Sequence, residues 1–111
     1  QKATRLECRL PGADANPYLA MAACLASGLH GIEKGLEPQD PISGNAYETD
    51  GLLNLPSNLG SAASLLKTSE GAHKGLTDAF IDHYVMTREY EVRRYEKAVT
   101  DWELKRYFEV T

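Results

Sequence analysis

Charged and apolar residues alternate one by one over residues 4–10, with Arg5, Glu7 and Arg9 on one parity and Leu6, Cys8 and Leu10 on the other. A period of two is the mark of a half-buried strand, so a strand is predicted there. Pro11 and Gly12 end it, since proline has no amide proton for a ladder and glycine tolerates turn conformations. The period then changes. Asn16-Pro17 predicts a helix start, because Asn caps free amides and Pro at the first helical position has its φ already set. The helix should cover residues 17–34 and stop at Gly35. From Tyr18 to Ala26 it is apolar around its whole circumference, so burial against something larger than itself is expected. Ala20, Ala23, Ser27, Gly28 and Gly31 are small enough to let a neighbouring backbone approach closely.

Residues 35–57 lose both periods and collect Pro38, Pro41, Gly44, Asn45, Gly51 and Pro56. So long a loop is uncommon inside a compact domain, which predicts either disorder or packing against further protein. Asn58 should cap a short helix over residues 59–68 with Leu59, Ala62, Ala63 and Leu66 as its inner stripe. A second short helix is expected over residues 69–74, before Gly75. Thr77 then caps the longest one, where Phe80, Ile81, Tyr84, Val85, Val92, Tyr95 and Val99 recur at three- and four-residue steps. Its other face carries Asp82, Arg88, Glu89, Glu91, Arg93, Arg94 and Glu96, a solvated face of mixed sign. Thr100 and Glu103 fit a capping box that opens a last helix and lets Trp102 pack back, with residues 107–110 extended after it. The fold class is therefore mostly α: one N-terminal strand, a buried helix, a long loop and a C-terminal helical bundle.

Composition narrows the function classes. A chain of 111 residues forms at most one small domain, and 42% apolar with 25% charged residues is an ordinary globular composition. Sixteen acidic against twelve basic residues leave a net charge of −4, which disfavours nucleic acid and anionic lipid as partners. The apolar run over residues 18–29 falls short of the roughly 20 residues that span a bilayer. No transmembrane helix is expected, and the predicted location is the cytoplasm. Cys8 and Cys24 form no CxxC motif and have no His at zinc-finger spacing, so both are expected to be reduced, buried thiols. The chain opens at Gln1 with no targeting signal visible, which suggests a trimmed parent.

The pattern with most chemical content is Arg5-Leu6-Glu7-Cys8-Arg9. On a strand, Arg5, Glu7 and Arg9 share one face, with neighbours roughly 6–7 Å apart. Guanidinium forks bind phosphate or carboxylate, and a carboxylate between them is a hard ligand for Mg²⁺ or Mn²⁺. Ion pairs on an exposed face explain the same alternation. His30, His73 and His83 lack partners at metal-ligand spacing and are read as surface or cap residues. The aromatic run Tyr84, Tyr90, Tyr95, Trp102, Tyr107 and Phe108 is read as core or subunit contact. Neither a Gly-rich phosphate loop nor a Ser or Cys nucleophile signature occurs.

The arginine–glutamate–arginine triplet, followed by Pro11 and by Ala15-Asn16-Pro17-Tyr18-Leu19-Ala20, resembles the late signature of glutamine synthetases. Gly31-Ile32, Leu36-Glu37-Pro38, Pro41-Ile42, Tyr47, Leu55-Pro56 and Trp102-Glu103 continue the resemblance over nearly the whole chain. It implies a C-terminal segment, residues 1–111, of the family's α+β catalytic domain, without the β-grasp domain and most of the catalytic barrel. The family joins glutamate to ammonia or a primary amine: ATP first phosphorylates the γ-carboxylate, and the amine then displaces phosphate.

By that resemblance Glu7 is a ligand of one of two divalent cations, Mg²⁺ or Mn²⁺. Arg9 contacts the transferred phosphoryl group and substrate as a catalytic residue, and Arg5 lies near nucleotide phosphates. The other metal ligands of the family lie upstream of such a segment, so the chain alone should be inactive, and the parent should be a homo-oligomer. Residues 10–14 and 99–103 look more like the γ-glutamylpolyamine synthetase branch than ordinary glutamine synthetase. Two other functions remain open: an assembly module of the same fold without catalysis, and a free-standing regulatory or nucleic-acid-binding helical domain, disfavoured by the acidic charge.

Overall fold

The structure is a computed structural model that describes residues 3–45, 48, 49 and 51–110. Gln1 and Tyr47 lie outside the described residues. Among these residues there are five α-helices and no strand: α1 (Pro17–Lys34), α2 (Leu59–Thr68), α3 (Glu70–Gly75), α4 (Asp78–Tyr95) and α5 (Asp101–Tyr107). They belong to two compact units. The first comprises Gln1–Leu52 and Ser69–Asp78, the second Leu53–Thr68 and Ala79–Thr111.

In the first unit, α1 begins where Asn16 Oδ1 accepts from the amides of Tyr18 and Leu19 at 3.0 and 3.3 Å. It ends where Gly35 turns left-handed at φ 61°, a conformation glycine adopts without a Cβ clash, and its amide closes on the last turn. α3 packs against α1 at very short range. A Cβ built on Gly75 would stand 2.3 Å from the Cβ of Ala26, and one on Gly71 would stand 3.1 Å from the His30 ring. The close approach thus uses Ala26 with two glycines of α3, whereas Gly28 and Gly31 have open space where a side chain would be. Lys34, in the last turn of α1, reaches Glu70 of α3 at 3.2 Å.

The remainder of α1 is not covered within the described residues. Only Ala26 is buried, while Tyr18, Met21, Leu25, Leu29 and Ile32 are between 59% and 81% exposed. The predicted strand over residues 4–10 is not formed. A strand exists only as a member of a ladder, and no described residue pairs with this segment; Leu6 stands 99% exposed. Cys8 and Cys24 are free thiols as expected, yet both are exposed, because the segment and the α1 face that carry them lack a covering layer among the described residues. Among those described, residues 35–57 form no α-helix or strand, only a 3₁₀ turn at Glu48 whose amide donates to Asn45 O at 3.1 Å.

In the second unit, Asn58 caps α2 by accepting from the Ser61 amide at 2.8 Å. α2 lies along α4: Ala63, Ile81 and Val85 are buried, and Lys67 Nζ stands 3.7 Å from Glu89 Oε1. The inner stripe read from the sequence holds for Phe80, Ile81, Tyr84, Val85 and Val92, then fails at Tyr95 and Val99, which are about 70% exposed. α5 opens with the expected capping box at Thr100 and Glu103. The helix runs through Tyr107, and Phe108 keeps right-handed helical angles, so residues 107–110 are not extended. Every α5 residue is exposed, and Trp102 stacks edge-on against Tyr107 of its own helix. The C-terminal bundle is therefore reduced to the α2–α4 pair, since α3 packs with α1 and α5 packs on nothing described. The aromatic run is likewise not core: only Tyr84 is half-buried, and Tyr90, Tyr95, Trp102, Tyr107 and Phe108 are exposed.

Candidate functional site

The sequence assigns the site to residues 5–9, and the structure joins two of its three members. Arg9 Nε donates to Glu7 Oε1 at 2.5 Å. Residues two apart along a non-helical segment can share a side, which is how the pair meets without a ladder. Both partners face water, with side chains 86% and 58% exposed. An exposed ion pair contributes about 0–1 kcal/mol, so either member can be drawn to a better partner at little cost. Arg5 is exposed, and among the described residues no hydrogen bond or ion pair joins it to Glu7.

Chemically the segment offers a carboxylate, the guanidinium it holds, and a second guanidinium two residues further back. The arginines fit an anion of several oxygens, since each presents a planar fork of donors. For a divalent cation, Glu7 fits as one hard oxygen ligand. No group of three or more His, Cys, Asp or Glu that could hold a metal ion occurs among the described residues, so the remaining ligands of any such cation come from elsewhere.

The histidines stay outside this site. His73, in the last turn of α3, has its Nδ1 at 2.6 Å from Asp78 Oδ1, and His83 is exposed. His30 is half-buried, and among the described residues its Nδ1 has no hydrogen-bond partner. An apolar groove of about 1260 Å³ in the second unit, lined by Pro56, Leu59, Leu65, Val92 and Tyr95 among others, holds none of the site residues.

Two features were missed in the sequence. Glu70 is held between Lys74 at 2.9 Å and Lys34 at 3.2 Å. The Lys74 half was visible as an i,i+4 pair, whereas Lys34 is brought in by the packing of α3 on α1. The two ammonium groups, Lys74 first, push the Glu70 carboxyl down to about 2. The second is at Cys24 of α1, whose thiol the side chain of Cys8 raises above its ordinary value. Its only sequence signal was the alternation that set Cys8 opposite Arg5, Glu7 and Arg9.

Comparison with known proteins bears directly on this segment. The family model described as glutamine synthetase, catalytic domain, matches residues 1–107. A glutamate–isopropylamine ligase from a Pseudomonas species is 44% identical over 110 residues, which cover 97% of this chain and 24% of that protein. A γ-glutamylethanolamide synthetase from Streptomyces coelicolor is 45% identical over 108 residues, 97% of this chain and 23% of that protein. A type-1 glutamine synthetase from Dictyostelium discoideum is 44% identical over 113 residues, 98% of this chain and 22% of that protein. The chain thus spans about a quarter of the length of these curated relatives. No described helix is long and apolar enough to cross a membrane.

Proposed function

The chain belongs to the glutamine synthetase catalytic-domain family, and from that premise we propose that it is the C-terminal part of an ATP-dependent ligase joining glutamate to an amine. The observation that carries this reading is the paired Glu7 and Arg9, with Arg5 close by in sequence, inside a segment matched by the family model. Phosphoryl transfer demands little covalent chemistry from the protein. It depends on positioning and on opposing the charge that moves between oxygens.

In this reading Arg9 leaves its weak surface pair with Glu7 and directs its fork at the phosphoryl oxygens as ATP phosphorylates the γ-carboxylate of glutamate. Arg5 holds nucleotide phosphate, which fixes the donor. Glu7, released from Arg9, is one ligand of a Mg²⁺ or Mn²⁺ ion, and such a cation supplies neutralisation of phosphate charge. Upstream protein provides the other ligands, so the 111-residue chain alone has no ligase activity and no Mg²⁺-dependent ATP affinity. The parent is a cytoplasmic homo-oligomer.

For the acceptor we favour a primary amine over ammonia. Support comes from residues 10–14 and 99–103 and from relatives whose names specify isopropylamine and an ethanolamide. A larger amine needs an apolar channel to the acyl phosphate, and its distal part then helps align the attacking nitrogen. The test is phosphate release by the full-length protein with glutamate, ATP and each amine in turn. A higher kcat/KM for putrescine, ethanolamine or isopropylamine than for ammonia is expected. A higher value for ammonia than for every amine tried returns the protein to glutamine synthetase proper, and no ATP turnover with any acceptor returns it to a non-catalytic module of the same fold.

A further inference from the structure

The apolar groove of about 1260 Å³ lies wholly within the second unit, between the start of α2 and the end of α4. Around the circumference of α4 its lining residues fall in the order Glu91, Tyr95, Val92 and Glu96, as about 3.6 residues per turn requires. Glu96 follows the last residue of α4, and its amide still closes on the Val92 carbonyl at 2.9 Å. Tyr95 and Val92 thus form an apolar stripe with a carboxylate on each side. Leu59 and Leu65 of α2 extend that floor. Leu59, Leu65 and Tyr95 are 43%, 60% and 71% exposed, so one groove gathers three large apolar side chains that face water.

Glu91 and Glu96 are, among the described residues, the only charged ones that line the groove. Among the same residues no hydrogen bond or ion pair occupies either carboxylate. A small ligand does not match this space, since drug-sized ligands fill cavities of roughly 300–1,000 Å³ and this groove is both larger and open to water. A groove between helices takes an amphipathic helix, whose side chains at i, i+3, i+4 and i+7 reach the floor. Carboxylates on both margins select a helix with cations beside its apolar stripe.

We propose that the α2–α4 groove is a docking surface for a basic amphipathic helix of a partner protein. The apolar stripe of that helix lies on Leu59, Leu65, Val92 and Tyr95, and its flanking lysines or arginines pair with Glu91 and Glu96. A second copy of this chain does not supply such a helix. The apolar stretch of α1 over residues 18–29 contains no Lys or Arg, and α5 balances Lys105 and Arg106 with Asp101 and Glu103. Docking is independent of ligase activity, because the groove contains none of residues 5–9.

The experiment uses the full-length protein and a synthetic helical peptide of about 18 residues, long enough to hold helix. Leucines repeat at i, i+3, i+4 and i+7, lysines line both margins of that stripe, and a benzophenone replaces one leucine side chain. Irradiation should join the peptide to the tryptic fragments 35–67 and 89–93, which carry Leu59, Leu65 and Val92. A peptide of the same composition in permuted order keeps the charge and loses the stripe, so half-maximal cross-linking should need about tenfold more of it. Glu91→Gln combined with Glu96→Gln should raise that concentration about fivefold, since two exposed pairs are lost. Tyr95→Ser, at an exposed position, should raise it about tenfold. Equal cross-linking by the permuted peptide overturns the proposal and leaves only attraction between opposite net charges. An unchanged concentration in the glutamine double variant overturns it too. Absence of cross-links to 35–67 and 89–93 does the same, and assigns the groove to a second copy or to the remainder of the parent.

Discussion

Gly75 of α3 faces Ala26 of α1 so closely that the Cβ of any other residue at position 75 would stand 2.3 Å from the Cβ of Ala26. Real Cβ atoms do not approach that near, so helix contact and the missing side chain are one fact.

Gly75→Ala should therefore push α3 off α1 and destabilise the protein by about 1–3 kcal/mol, the usual range for overpacking a tight contact. The residue needs no left-handed φ, so the loss is steric. Gly71→Ala meets the His30 ring at 3.1 Å, and that ring can shift by a few tenths of an ångström. The milder substitution should cost clearly less. Urea unfolding of the two variants checks the order, and equal loss from both would show that the Gly75–Ala26 approach is not the tight point.

The α1–α3 contact should also be sensitive to acid. Lys74 and Lys34 hold the Glu70 carboxyl at about 2, below its ordinary 4.5. A carboxyl whose folded pKa is depressed stabilises the fold fully above its unfolded pKa and loses that contribution as pH falls through the folded value. Stability from this cluster is thus present above about pH 4.5 and disappears towards pH 2. Glu70→Gln should flatten the stability profile in that window. Added salt should weaken the cluster, because its side chains are 42–64% exposed. Titration of the Glu70 carboxyl by NMR, with and without salt, measures both effects.

α5 rests on its cap. The helix has seven residues, all exposed, too few for a stable helix without help. Thr100 Oγ1 accepts from the Glu103 amide at 3.2 Å, and the Glu103 carboxylate accepts from the Thr100 amide at 2.7 Å. That amide, followed by the Thr100 hydroxyl, lowers the Glu103 carboxyl below its ordinary value. Thr100→Ala should cost the helix about 0.5–2 kcal/mol. Loss of helical chemical shifts confined to residues 101–107 is the expected signature, and Thr100→Ser should retain most of them.

Much of this architecture was legible where the information is local. Asn16-Pro17 and Gly35 bounded α1 to the residue, and Thr100 with Glu103 announced α5. Apart from the extended reading of residues 107–110, the readings that failed needed a partner that sequence does not supply. Alternation over residues 4–10 records which side chains would face which way, but a ladder needs a second strand. Cys8 and Cys24 were expected to be buried because they form no CxxC or zinc-finger pattern, and α1 has no cover for them among the described residues. The approach of Gly75 to Ala26 joins residues far apart in sequence, so it left no periodic trace. The site shows the same division: the sequence identified Glu7 and Arg9, whereas their pairing required coordinates.

The roles proposed for residues 5–9 separate in kinetics. If Arg9 opposes charge that develops during phosphoryl transfer, its truncation harms the transition state more than the bound ground state. In the full-length protein, Arg9→Ala should lower kcat by about 10²-fold, as removal of a charge-stabilising donor commonly does. KM for ATP should stay within about threefold, because phosphate positioning is assigned to Arg5. Arg5→Ala should do the reverse, raising KM for ATP with a smaller loss in kcat. Glu7→Ala should raise the Mn²⁺ concentration for half-maximal activity by about tenfold, since one hard oxygen ligand is lost. Arg9 then also loses its partner in the resting protein, but that exposed pair contributes too little to account for such a shift. Steady-state rates across ATP and Mn²⁺ concentrations resolve the three variants. An Arg9→Ala enzyme within a few-fold of the parent in kcat would remove the catalytic assignment and leave Arg9 as a surface partner of Glu7.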